Sequence, residues 1–278
     1  MSDPRLTPAR PDLAAEHLRG TVEAPRYVTG RRVHVRAGLA DLRVAPAAAA
    51  RLATQALHGE DAILYEARDG WAWVQLAADG YVGYLSAETL AEGPARATHR
   101  IAVLRGHIYP AADLKAPAIG ALPFGAHVKV KDEAGLFAQL ADGGFVFMQH
   151  LRTPSEKARD FVAVAEGFIG APYLWGGKSS LGIDCSGLVQ IALAESGIAA
   201  PRDTDLQERA LGQALPGSAP ELQRGDLVFW KGHVGIMRDP ETLLHANAHH
   251  MLVASEPLAQ VRARLRRGGG EIVAIKRL

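Results

Sequence analysis

Two hydrophobic patterns divide the chain. From about residue 31 to 90, apolar residues recur with period two in short runs broken by Gly, Asp and Pro, as in HVRAGLADLRVAP, EDAILYEA, GWAWVQLA and GYVGYLS. Alternation puts every second side chain on one face, which predicts the short strands of a small barrel. ARLATQAL (50–57) reads as a short helix or a loop segment, and the pattern does not decide between them. A second version of the pattern follows over residues 99–151, where GLFAQLADGGFVFMQHL (135–151) aligns with GWAWVQLAADGYVGYLSAETL (70–90). A repeat of about 50–60 residues is too large for a solenoid unit and suits two small all-β domains.

Beyond residue 152 the period changes. RTPSEKARD (152–160) is a polar helix start with Pro154 near its beginning, and FVAVAEGFIG (161–170) continues it at helical spacing. CSGLVQIALAES (185–196) predicts a second helix, with Leu188, Ile191 and Ala192 as its apolar positions and Gly197 placed to end it. GDLVFW, HVGIMRD, LLHANA, HHMLVASE and EIVAIKRL then read as strands joined by short turns. Helices followed by an antiparallel sheet predict an α+β domain. The expected division is an N-terminal arm over 1–30 that packs on a later domain, a first barrel over 31–92, a second over 97–152, and the α+β domain over 153–278.

Composition changes the picture in three places. With 48% hydrophobic residues, the 278-residue chain has ample material for packed cores. Its 31 basic and 30 acidic residues leave a formal charge of +1, which argues against nucleic acid or an anionic membrane as the main partner. No stretch approaches the ~20 apolar residues of a membrane span. The first residues show no basic segment followed by an apolar one, so a cytoplasmic location is expected. Finally, there is one cysteine. It excludes an internal disulfide and a thiolate-rich zinc site, leaving a buried small hydrophobe or a reactive thiol.

The surroundings of Cys185 favour the thiol. Asp184 is placed as an N-cap and Cys185 as the first helical residue, where unpaired backbone N–H groups and the helix dipole lower a thiol pKa. Gly187 leaves room for close approach to that turn. His233 and His245 each stand six residues from Asp239, so a hairpin centred there sets them opposite or nearly opposite one another. A nucleophile, a base and an orienting third group follow the logic of covalent catalysis: His233 takes the thiol proton and later protonates the leaving amine, while His245 fixes the His233 tautomer. A zinc site built from Cys185, His245, His249 and His250 is disfavoured, because adjacent strand residues point to opposite faces. No metal or other cofactor is expected. Trp71, Trp73 and Trp230 read as core. RARLRRGGG (262–270) reads as a solvated helix face or loop, without a phosphate-loop pattern.

PYLWGG (172–177), DCSG (184–187), PRDT (201–204), GDLVFW (225–230), HVGI (233–236) and LHAN (244–247) occur in the order and spacing of the NlpC family of bacterial cell-wall cysteine endopeptidases, which the chain resembles over most of residues 160–250. The resemblance implies a papain-like catalytic fold, with Cys185, His233 and His245 as nucleophile, base and third polar residue. The upstream repeats resemble bacterial SH3-like domains, the first carrying DGYVGY. Members with that layout resemble endopeptidases that cut γ-D-glutamyl–diamino acid bonds in peptides with a free N-terminal L-Ala, with the first barrel closing one end of the cleft. The implied partner is therefore a small muropeptide, L-Ala-γ-D-Glu-diamino acid, met in murein peptide recycling.

On that resemblance Asp203 neutralises the substrate ammonium. An acylated N-terminus would leave the carboxylate unpaired at a cost of several kcal/mol. Tyr81, with Tyr84 as the alternative, caps the same end of the cleft. Tyr173 stands on the substrate side and adds to an oxyanion hole with the Cys185 backbone N–H. Asp184 lies beside the substrate, and Ser186 and Thr204 are hydroxyl candidates for the D-Glu carboxylate. Two other classes remain open: a papain-like amidase or acyltransferase using the same triad, and a non-enzymatic cell-wall peptide-binding protein in which the barrels do the work.

Overall fold

The alternating runs of the first third become one sheet. In the computed structural model, which describes residues 3–216 and 221–278, the chain forms two units, Met1–Glu156 and Lys157–Leu278. In the first unit, strands Leu90–Glu92, Arg31–Val35, Asp61–Arg68, Trp71–Leu76, Val82–Ser86, Leu39–Arg43 and Leu52–Leu57 are neighbours in that order in a seven-stranded antiparallel sheet. Their inward residues, among them Val33, Leu42, Leu64, Val74 and Leu85, make a closed apolar core. The undecided segment at 50–57 is a strand, paired with its neighbour from Leu39↔Leu57 to Arg43↔Leu52. So short a segment cannot support a helix on its own, whereas a sheet edge supplies its hydrogen bonds at once.

The repeat is a repeat of structure. Strands Phe137–Leu140 and Phe145–Phe147 lead through the 3₁₀ turn Met148–His150 into Leu151–Arg152, as Trp71–Leu76 and Val82–Ser86 lead through Ala87–Thr89 into Leu90–Glu92. The residues entering the two turns, Ser86 and Phe147, have φ/ψ of −60/129° and −61/126°. A separate core around Ile101, Leu122, Val128, Leu140 and Val146 fills this second barrel. The arm packs on the first barrel: Leu6 joins its core, and Arg5 O accepts from Val82 N–H at 2.8 Å. The Arg10 guanidinium lies 4.5 Å from the centre of the Trp73 ring and pairs with Glu66 at 2.5 Å.

The second unit is α+β. Its six-stranded antiparallel sheet runs Gln213–Ala214, Ile272–Arg277, Leu227–Trp230, His233–Met237, Thr242–Asn247, Leu252–Pro257. Among the described residues, four helices accompany it: α1 (Phe161–Glu166), α2 (Cys185–Glu195), α3 (Thr204–Ala210) and α4 (Leu258–Arg267). The polar segment 152–160 is not helical as expected. The Asp160 carboxylate accepts from the backbone N–H of Val162 and Ala163, which sets the helix start at Phe161. The arginine-rich segment is α4, and its Leu258 and Val261 pack with Trp230, Met237 and Leu243.

Candidate active site

α2 is buried along almost its whole length, so its N-terminus is fixed by packing as well as by its cap. Asp184 accepts from Gly187 N–H at 2.7 Å and from Gly176 N–H at 2.8 Å. It also takes both arms of Arg202, at 2.9 and 2.8 Å, and Arg202 gives a further bond to Ser186 Oγ. Arg202 is 1% exposed, so this is a buried, fully paired carboxylate–guanidinium unit beneath the first turn of α2. Gly187 permits it: a Cβ there would lie 2.5 Å from Gly177 O and 2.9 Å from Asp184 Oδ1. Asp184 and Ser186 are thus both engaged inside the domain.

Cys185 opens α2 with its sulfur 3.8 Å from Thr204 Oγ1 and facing the backbone N–H of Val234, next to His233. Asp203, half-buried, directly precedes Thr204 at the start of α3. Tyr173 bridges to Ile183, two residues before Cys185. Burial, with the negative charge of Cys185 and Asp184, pushes the Tyr173 phenol up to about 12, so it is a donor at neutral pH.

The histidines meet by a different register from the one expected. Pairs Ile236↔Leu244 and Met237↔Leu243 centre the hairpin one residue beyond Asp239, with Arg238 N–H bonding Thr242 O. Continuing that register sets His233 opposite position 247, so His245 is its diagonal neighbour on the same face. The rings reach across the diagonal: His233 Nε2 and His245 Nδ1 are 2.8 Å apart. His245 Nε2 in turn lies 2.9 Å from Glu256 Oε1, and Arg264 grips both oxygens of Glu256 at 2.8 and 2.6 Å.

Electrostatics correct the expectation of a lowered thiol pKa. Burial, reinforced by the Asp184 charge, pushes Cys185 up to about 11, against smaller opposing contributions from Val234, Thr204 and Arg202. Burial and the neighbouring His245 push His233 down to about 3. Thiol and imidazole are therefore both neutral at pH 7. Burial likewise lowers His245, with the carboxylate of Glu256 opposing it. Among the described residues, no group of three or more His, Cys, Asp or Glu side chains is arranged to hold a metal ion.

The NlpC/P60 family profile matches residues 170–264, and that of the bacterial dipeptidyl-peptidase Sh3 domain matches residues 42–90. Residues 170–264 are an NlpC/P60 domain. The chain is 38% identical over 86 residues to a dipeptidyl-peptidase 6 of Lysinibacillus sphaericus, covering 31% of each chain. It is 36% identical over 97 residues to a gamma-D-glutamyl-L-lysine dipeptidyl-peptidase of Bacillus subtilis, covering 32% of each. The matched segment thus spans about a third of these relatives' length. An NlpC/P60 family protein from Bacillus cereus shares the fold with a TM-score of 0.74, at 20% identity over 88% of this chain and 99% of that one.

Within the NlpC/P60 domain, the histidine chain continues to Glu256, and Arg202 sits beneath the first turn of α2; sequence reasoning had assigned neither. His245 pairs with Ala254 across the strands, so Glu256, two residues on, shares its face; strand parity would have revealed it once the register was known. In the SH3-like first barrel, Tyr81 is 7% exposed in the core. Tyr84 instead lines a cavity of about 330 Å³ with Trp71, Trp73, Arg10 and Glu66. Trp73 and Trp230 are both buried, as core residues are expected to be.

Proposed function

We propose that this protein is a cysteine endopeptidase that hydrolyses the γ-D-glutamyl–diamino acid bond of peptidoglycan stem peptides bearing a free N-terminal L-Ala, and that it acts on recycled murein peptides in the cytoplasm. The observation that carries the reading is the sulfur of Cys185 at the start of α2, beside the strand whose His233 is hydrogen-bonded to His245. The name of the relative from Bacillus subtilis supports the choice of substrate.

Because thiol and imidazole rest neutral, the proton moves as the bond forms. The thiol proton passes to His233 while sulfur adds to the γ-carbonyl carbon, and the developing oxyanion takes hydrogen bonds from the Cys185 backbone N–H and the Tyr173 hydroxyl. Collapse breaks the C–N bond, and His233 returns the proton to the departing amine, leaving a thioester on Cys185. Water, deprotonated by His233, then releases L-Ala-γ-D-Glu and restores the thiol. Asp203 pairs the substrate ammonium and Thr204 contributes its hydroxyl beside the sulfur. Asp184 acts through the architecture of α2 rather than by touching substrate. From the first barrel, Tyr84 is the tyrosine available to a ligand.

The test is mass spectrometry of L-Ala-γ-D-Glu-diamino acid incubated with wild type and with Cys185→Ala. Free diamino acid and L-Ala-γ-D-Glu should form with wild type only. Equal cleavage by the variant would remove Cys185 as nucleophile. A transferred acyl product without hydrolysis would establish acyl transfer, and binding without turnover by wild type would establish the peptide-binding alternative. Acetylating the substrate L-Ala should lower kcat/KM if Asp203 pairs the ammonium, since the acetylated nitrogen carries no charge for the carboxylate to pair. Equal rates would refute that pairing.

A further inference from the structure

We propose that Glu256, clamped by Arg264, is a positioning residue that sets the tautomers of both histidines, so that His233 presents its bare Nδ1 for the thiol proton. The proposal rests on the cysteine-peptidase reading of the site and assigns a role to two residues outside the Cys–His–His set.

The geometry leaves one consistent arrangement of protons. A carboxylate has acceptors only, and the two guanidinium bonds from Arg264, at 2.8 and 2.6 Å, keep Glu256 in that form. Its contact with His245 Nε2 at 2.9 Å therefore requires a proton on that nitrogen. A neutral His245 protonated at Nε2 has only a lone pair at Nδ1, so the 2.8 Å contact with His233 must be donated by His233 Nε2. A neutral His233 protonated at Nε2 has its other lone pair on Nδ1, the nitrogen left to act as base. Reversing the central hydrogen bond would put the proton on His233 Nδ1 and remove the base. Without Glu256 the two arrangements each keep one hydrogen bond between the rings, and that bond does not separate them. The other group beside the carboxylate is His250, whose Nδ1 is 3.6 Å from Glu256 Oε1; it is 37% exposed and lies too far to replace either bond.

The sheet explains how such a chain is built. His233, His245 and Glu256 stand on one face of three adjacent strands, each step a diagonal of the antiparallel register. α4 follows the third strand directly, which returns Arg264 to the carboxylate eight residues on. The basic segment that reads as solvated in the sequence thus supplies one half-buried ion pair to this chain of hydrogen bonds.

The full chain, with its histidines labelled with ¹⁵N, tests this by long-range ¹H–¹⁵N spectra at pH 7 alongside kinetics on the tripeptide. Wild type should show both His233 and His245 as Nε2–H tautomers. In Glu256→Ala, His233 should shift toward Nδ1–H, and kcat should fall on the order of 10- to 100-fold with KM changed less than about threefold. Glu256→Gln, which keeps an acceptor for His245, should restore part of the loss and most of the wild-type tautomer. The double variant Glu256→Leu/Arg264→Met removes the charge pair without stranding either charge; it should fold and show the same tautomer shift. An Nδ1–H His233 in wild type, or an unchanged His233 tautomer in both Glu256→Ala and the double variant, overturns the proposal. The spectra need no substrate, so a wrong substrate assignment would leave this result standing.

Discussion

At the scale of single residues, Cys185 is a buried thiol, not a standing thiolate. Two effects compete at Cys185. The helix start and Val234 N–H favour negative charge, while full burial and the adjacent Asp184 oppose it, and burial wins by enough to bring the pKa up to about 11. His233, brought down to about 3, does not supply a standing imidazolium either. Alkylation of Cys185 by iodoacetamide in the resting protein should accordingly be slow at pH 7 and rise about tenfold per pH unit past pH 9. A rate already at its plateau near neutrality would indicate an ion pair instead. Helix start and cap were legible in DCSG because capping is local chemistry. The pKa was not, since burial depends on what later segments place over the sulfur.

At the scale of elements, Arg202 ties three pieces together: the Gly177 loop, the first turn of α2 and the segment entering α3. Removing one partner of a buried pair strands the other, so Arg202→Met should cost about 3–5 kcal/mol in urea unfolding. A loss under about 1 kcal/mol would show that Asp184 finds other compensation. The strands of the hairpin were legible from alternation. Their exact register was not: symmetry about Asp239 suggested His233 opposite or nearly opposite His245, and the turn sets them on a diagonal, two residues out of step. A one-residue slip would have separated the rings onto opposite faces, whereas a two-residue offset keeps them together. The same shared face brings in Glu256, which no sequence spacing could have ranked above other carboxylates.

At the scale of the whole molecule, the described groups of the second unit set a stability window in pH. Hydrogen bonds from Arg224 and Arg238, acting against burial, bring Glu166 down to about 2. Burial would raise Glu256, but Arg264 and His245 outweigh it and bring it likewise down to about 2. Groups with folded pKa values below their unfolded ones stabilise above the unfolded value and lose that contribution as pH falls. His233 should therefore begin to destabilise the fold below about pH 6.5, joined by the carboxylates below about pH 4.5. Cys185, raised on folding, has the opposite sign: its contribution is present below about pH 9 and fades toward pH 11. Urea midpoints measured across pH should peak between about 6.5 and 9. A maximum near pH 5 would contradict the lowered His233.

By itself the sequence determined the period of the main strand runs, the repeat in the first half of the chain, the capped helix bearing the single cysteine, and the two histidines on neighbouring strands. These are consequences of local periodicity and capping, which act within a few residues. Only the tertiary structure decided that residues 50–57 are a strand, that Tyr81 lies in a core while Tyr84 lines a cavity, that Asp184 is matched to Arg202, and that the histidine chain ends on Glu256 and Arg264. Each of these depends on burial and register between segments far apart in the chain. Charge pairing and proton placement follow from such contacts, and no spacing along the chain encodes them.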